Sequence, residues 1–126
     1  MKATTLAIVA GGLFAGALFL GRPSASAEAH HERLVRIAEL EIDPAHLDAY
    51  KAALREEIET SIRKEPGVLA LYAVSVKDHP TQIRLFEMYA DPVAYQAHLQ
   101  STHFKKYKSE TTGMVKSLRL IETEPL

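Results

Sequence analysis

Two histidines, His98 and His103, stand five residues apart in a segment otherwise rich in apolar and aromatic side chains. Imidazole titrates nearest to neutral pH, so each ring is a candidate general base. Each also has a plainer role open to it: His98 can pack beside Leu99 at a helix end, and His103 can cap or fill the start of the next helical piece. Glu87 lies inside the apolar run Leu85-Phe86-Glu87-Met88-Tyr89. A carboxylate there can orient a histidine, bind a hydroxyl, or pair with Arg84 or Arg119 on a neighbouring strand. A spacing of five puts His98 and His103 on different sides of a continuous helix, which argues against zinc held by the pair. The chain has no Cys and no G-x-S-x-G, and its Gly11-Gly12 pair sits in the N-terminal apolar run. Thiol chemistry, a nucleophile elbow and a phosphate-cradling loop are therefore excluded.

The N-terminus reads as an export signal rather than as fold. Lys2 is followed by an uncharged, almost wholly apolar stretch, Ala3 to Gly21, then Arg22-Pro23 and the small-residue site Ala25-Ser26-Ala27. Charge, apolar core and A-x-A in that order describe a secretory signal peptide, residues 1–27, cleaved after Ala27. The expected location is the periplasm or the exterior. An uncleaved anchor is the other reading, since the run is near the lower limit for spanning a bilayer. Cleavage leaves 99 residues: a tail, 28–32, and one domain, 33–126. Without Lys2 and Arg22 the 15 basic residues fall to 13 against 16 acidic ones, a net charge of about −3. With no basic stripe, nucleic acid and, after cleavage, a membrane are not expected partners. The new N-terminus would be Glu28-Ala29-His30, and an amine, two amides and an imidazole can surround Cu(II) in a square plane. A plain tail after the signal is the simpler reading, and cleavage after Ala29 would abolish the motif.

The elements that must position His98, His103 and Glu87 come from periodicity. Arg33 to Ile42 alternates, with Leu34, Arg36, Ala38, Leu40 and Ile42 on one face and Val35 and Ile37 on the other. Asp43-Pro44 supplies a cap and a first helical residue. Leu47, Tyr50, Leu54, Ile58 and Ile62 then recur at helical spacing, opposite Lys51, Arg55, Glu56 and Glu59, until Pro66-Gly67. Val68 to Val76 is apolar nearly throughout and should be covered on both faces. Asp78-His79-Pro80-Thr81 is turn chemistry leading to a strand from Ile83 to Tyr89. Asp91-Pro92 repeats the capping device before a short helix that Ser101-Thr102 interrupts. A further helical piece runs from His103 to about Thr112, and Val115 to Glu122 is the last strand. The order β-α-β, turn, β-α-β specifies an α+β, ferredoxin-like split-βαβ (βαββαβ) domain: a four-stranded antiparallel sheet with helices on one face. Its bare sheet face predicts a homodimer.

The stretches Glu65-Pro-Gly-Val-Leu-Ala-Leu-Tyr72, Leu85-Phe-Glu-Met-Tyr-Ala-Asp-Pro-Val-Ala-Tyr-Gln-Ala-His98 and Leu99-Gln-Ser-Thr-His-Phe104 resemble the antibiotic-biosynthesis-monooxygenase (ABM) family. The likeness spans essentially the whole mature chain and is densest from Glu87 to Phe104. It implies a dimeric α/β barrel with a pocket between sheet and helices in each protomer. It also implies oxidation of a small aromatic substrate, a quinol or similar phenol, by O₂ without metal or flavin. Such a ring supplies the electrons itself once it loses a proton, and the protein contributes a base, hydrogen bonds and a dry cavity. In that frame His103 or His98 is the base, Tyr72 and Tyr89 bond a ring oxygen, and Glu87 orients a histidine or binds a hydroxyl. Phe86, Met88 and Phe104 wall the cavity. Both tyrosines and Phe104 also have a plainer reading as core, the tyrosines with a wet hydroxyl. Haem-degrading relatives of this fold rely on an Asn, a Trp and a proximal His. The Trp position falls on His98 and the ligand position on Lys108, and the chain contains no Asn and no Trp, which disfavours haem. The fold alone does not set function, so the alternative is a non-catalytic dimeric module that binds a small aromatic or quinone or serves a stress response.

Overall fold

A computed structural model describes residues 32–126. The expected signal peptide, residues 1–27, and the tail residues Glu28, Ala29, His30 and His31 lie outside the described residues. Strand β1 (Leu34–Ile42) leads through one 3-10 turn, Pro44–His46, into helix α1 (Leu47–Lys64). Strands β2 (Val68–Val76) and β3 (His79–Tyr89) form the central hairpin. Helices α2 (Pro92–Gln100) and α3 (Thr102–Thr111) precede strand β4 (Val115–Glu122). The sheet order is β2-β3-β1-β4, with every neighbouring pair antiparallel. This is the ferredoxin-like α+β arrangement.

The starts of both helical segments are capped as their sequence demands. The Asp43 carboxylate accepts from Ala45 N at 2.9 Å and the Asp91 carboxylate from Ala94 N at 2.7 Å, each before a proline that has no N–H to orphan. Ser101 ends α2 with an extended backbone, ψ 148°, and then caps α3, its Oγ accepting from Phe104 N at 3.2 Å. His103 is therefore not the cap of that helix.

Ala38, Leu40 and Ile42 of β1, Ile83, Leu85 and Tyr89 of β3, and Val68 and Leu71 of β2 face the helices and are buried with Tyr50 and Leu54 of α1. Each such Leu or Ile contributes roughly 1.5–3 kcal/mol relative to leaving it in water. The buried stripe of α1 is Tyr50, Leu54, Glu57 and Ser61. This corrects the stripe expected from hydrophobicity, since Ile62 is 48% exposed. β2 is an edge strand and only one of its faces is covered within the chain. Tyr72, at 71% exposure, and Val74 project from the other.

Candidate active site

Three elements converge where α1 ends. Glu57 and Ser61 point inward from the last turns of α1, Glu65 is its C-cap, and His98 lies in the last turn of α2. His103 sits in the first turn of α3. The break at Ser101 turns the chain between the two histidines, so the continuous-helix geometry expected from their spacing does not apply. Their ring centroids are 6.2 Å apart, and a single oxygen bonds both: Glu65 Oε2 is 2.8 Å from His98 Nδ1 and 2.6 Å from His103 Nε2. The other nitrogen of His98, Nε2, is 3.3 Å from Glu57 Oε1, which also accepts from Ser61 Oγ at 2.7 Å. His98 and Glu57 are 2% and 4% exposed. The His98 ring is packed against Phe104 at 4.9 Å and Tyr89 at 5.4 Å between centroids.

These contacts set the local electrostatics. A carboxylate at a helix C-terminus opposes the helix dipole, so Glu65 needs its two donors. Partial burial pushes its carboxyl up, but the hydrogen bonds from His98 and His103 outweigh burial and hold it below the usual range. Burial pushes the Glu57 carboxyl up, against the opposing pull of Ser61 and the histidines. Burial likewise raises Glu87, against the hydrogen bond donated by the Tyr89 hydroxyl at 2.9 Å and the nearby His98 and Arg36. Burial also keeps the hydroxyls of Tyr50, Tyr89 and Tyr107 protonated, the first and last being 2.6 Å apart.

A cavity of about 380 Å³ opens beside this group, between α1, α3 and the sheet. Its walls include Leu54, Leu85, Phe104, Leu118 and Leu120; Glu57, Glu87, His98, Tyr107 and Thr111 are its buried or half-buried polar groups. The exposed Lys108, Thr112 and Lys116 also line it, which places its mouth at α3 and the start of β4.

Of the residues singled out in the sequence, the cavity thus brings together His98, Glu87 and Phe104. Tyr89 is fully buried beneath His98 and tied to Glu87. His103 reaches the group through Glu65 but does not line the cavity. Tyr72, Phe86 and Met88 are on the opposite sheet face: the register pairs Tyr72 with Phe86, and Phe86 and Met88 alternate with Glu87. They cannot wall this cavity, because neighbours in a strand project to opposite sides. Arg84 and Arg119 also lie there, paired with Glu39 at 3.8 and 2.8 Å, so the strand partner of Glu87 is Arg36 instead. Sequence reasoning missed Glu57 and Glu65. For metal ligation, the set that converges among the described residues is Glu57, His98 and His103, with one ligand atom from each within 4.8 Å of the others.

The raised Glu87 carboxyl has a testable consequence. Between the ordinary carboxylate range and its raised folded value, the folded chain keeps a proton that the unfolded chain has lost. Stability contributed by that proton is complete at low pH and is lost as pH rises through this window. Glu87→Gln keeps an acceptor for Tyr89 and cannot ionise. Its stability relative to the parent, from urea midpoints, is expected to improve from acid to neutral pH and then level off. A difference independent of pH would refute the account.

A family model described as "Antibiotic biosynthesis monooxygenase" matches residues 33–110. Among solved structures, the "Putative antibiotic biosynthesis monooxygenase from Bacteriodes thetaiotaomicron VPI-5482" is 49% identical with a TM-score of 0.74, over 75% of this chain and 90% of that one. A "putative monooxygenase from Lactobacillus acidophilus NCFM" is 30% identical with a TM-score of 0.72, over 75% of this chain and 45% of that one. A third, from Nitrosomonas europaea, shares the fold at 24% identity and TM-score 0.71, over 76% of this chain and 92% of that one. No curated protein sequence matches the chain. With 49% identity over three quarters of its length, and a family model covering most of the domain, the chain belongs to the antibiotic biosynthesis monooxygenase family.

Proposed function

We propose that the protein is an exported, dimeric monooxygenase that oxidises a quinol or similar phenol with O₂, using His98 as base and no bound cofactor. The observation that carries this reading is the apolar cavity ending on a histidine whose far nitrogen is already fixed by a carboxylate. With Nδ1–H donated to Glu65, the basic nitrogen of His98 is Nε2. Nε2 and the Glu57 carboxyl, 3.3 Å apart, share one proton. Taking a second proton from the substrate leaves an imidazolium beside a neutral Glu57, with Glu65 countering its charge. Burial of Glu57 favours that neutral form.

The deprotonated ring then reduces O₂. One oxygen atom enters the ring and the other leaves as water, so quinol plus O₂ gives a hydroxylated quinone plus water. All four electrons come from the substrate. Apolar walls from Leu54, Leu85 and Phe104 fit a ring and keep water from the intermediates. A polar His–Glu group inside the cavity favours this reading over a module that only binds its ligand. The test is O₂ uptake with a panel of reduced quinols, corrected for spontaneous oxidation, with oxygen-18 gas to label the product. Saturable uptake with one labelled atom per ring supports it. Uptake equal to the protein-free control across the panel returns the choice to the binding module.

Export rests on the charge, apolar and A-x-A order of residues 1–27. The dimer rests on the uncovered sheet face, where Ile37, Tyr72, Val74, Phe86, Met88 and Ile121 share one side. A second copy of that face is the simplest cover. The mature chain is expected to sediment as a dimer and Phe86→Glu to shift it towards monomer. A wild-type monomer at micromolar concentration would sink the proposal.

A further inference from the structure

Three features of the Glu57, His98, Glu65 and His103 group go beyond proton transfer. Metal-bound imidazoles usually give one nitrogen to the ion and donate the other N–H to a carboxylate, which fixes tautomer and ring direction. Glu65 Oε2 already takes one nitrogen from each ring, His98 Nδ1 and His103 Nε2. This leaves His103 Nδ1 without a hydrogen-bond partner among the described residues, and His98 Nε2 facing the Glu57 carboxyl at 3.3 Å. The distances also suit an ion. Two ligands bound tetrahedrally at about 2.0–2.1 Å stand roughly 3.4 Å apart, and His98 Nε2 is 3.3 Å from Glu57 Oε1. Charge points the same way. Neither Glu57 nor Glu65 has a Lys or Arg ion-pair partner among the described residues; both face only histidine. A dication would balance two carboxylates in a setting where unbalanced charge is costly.

We infer that Glu57, His98 and His103 form a binding site for a divalent transition ion of the zinc type, with Glu65 as the carboxylate that orients both rings. Two imidazoles and one carboxylate are a borderline-soft donor set suited to Zn(II) or Co(II) rather than Mg(II) or Ca(II). The triangle of ligand atoms, up to 4.8 Å on a side, is wider than a filled site. Closing it requires the partly exposed His103 to move inward until its ligand atom stands roughly 3.4 Å from the other two. Glu57 and His98 both line the cavity between α1, α3 and the sheet, so the fourth position opens to water or to a molecule held there. The ion takes the same Nε2 lone pair that proton abstraction needs. Metal occupancy and quinol oxidation therefore exclude each other at this group. The site itself does not depend on the oxygenase reading.

Titration of the full mature chain with Co(II), followed by visible absorption, tests the inference. A saturable set of d–d bands at one equivalent, displaced by Zn(II), is expected. His103→Ala and Glu57→Gln should remove it, and Glu65→Gln should weaken binding about 10–100-fold. His103 is only partly buried, so its removal leaves the core in place, and circular dichroism checks this. Cobalt held by His30 and His31 would survive His103→Ala and is distinguished by that variant. No band in the wild type, or an equal band in wild type and both variants, overturns the site. Bands in the cobalt-loaded chain with no quinol oxidation by the metal-free chain sink the oxygenase reading alone, whereas oxidation by the metal-free chain with no bands on cobalt addition sinks the metal site alone.

Discussion

His98→Gln is expected to lower kcat for quinol oxygenation by roughly 10²–10⁴-fold while changing KM little, the usual size of effect when a positioned general base is lost. Glutamine can still donate to Glu65, so the hydrogen bond that ties α2 to the C-cap of α1 survives and the fold should hold. What disappears is the lone pair on Nε2. Glu65→Gln should give a smaller loss, because the ring keeps a partner but the carboxylate that counters the imidazolium is gone. His103→Ala should retain most activity, since His103 bonds Glu65 from outside the cavity. Single-turnover oxygenation by all three variants, with circular dichroism as the control for folding, separates these effects. Full activity in His98→Gln together with its loss in His103→Ala would mean the base had been placed on the wrong ring.

The scaffold of this site was legible because its signals are local. Period-two alternation marked the faces of β1 and β4, and the repeated Asp-Pro pair marked where both helical segments begin. The ferredoxin-like order follows from those pieces. The site was only half legible. Glu57 and Ser61 occupy the buried stripe of α1, but a search for apolar side chains assigns that stripe to Ile58 and Ile62 and overlooks polar residues in register with Tyr50 and Leu54. Spacing would have found them, since positions 50, 54, 57 and 61 follow one helical face. Glu65 stands directly before Pro66-Gly67 and reads as the edge of a turn. Its importance depends on where α2 and α3 come to rest, which no local pattern contains. The expected cavity walls conflict with the alternation of a strand. Glu87 and its neighbours Phe86 and Met88 cannot face the same side of a strand, so choosing Glu87 for the site excluded the other two. The spacing argument against paired histidines fails for a different reason: it holds for a continuous helix, and the chain breaks at Ser101 between α2 and α3.

Gly67→Ala is expected to destabilise the domain by about 1–3 kcal/mol, the range for forcing an extra methyl into a filled space. A Cβ on Gly67 would lie 2.6 Å from the Cβ of Ala94, well inside contact distance. Neither side can give way cheaply. The Gly67 carbonyl accepts from Ala90 N at 2.8 Å, which pins it to the end of β3, and Ala94 N is held by the Asp91 cap at 2.7 Å. The glycine is needed for this close approach of a strand start to a helix. Relief must come from moving α2 outward, and His98 is one turn beyond Ala94 on the same helix face. The same methyl should therefore lengthen the His98–Glu65 contact and reduce oxygenation along with stability. For a domain of this size each kcal/mol lowers Tm by on the order of 4–8 °C, so a thermal melt resolves the effect easily. A Gly67→Ala chain that melts with the wild type would show that α2 packs more loosely on β2 than these distances require, and the placement of His98 would then have to come from Glu65 alone.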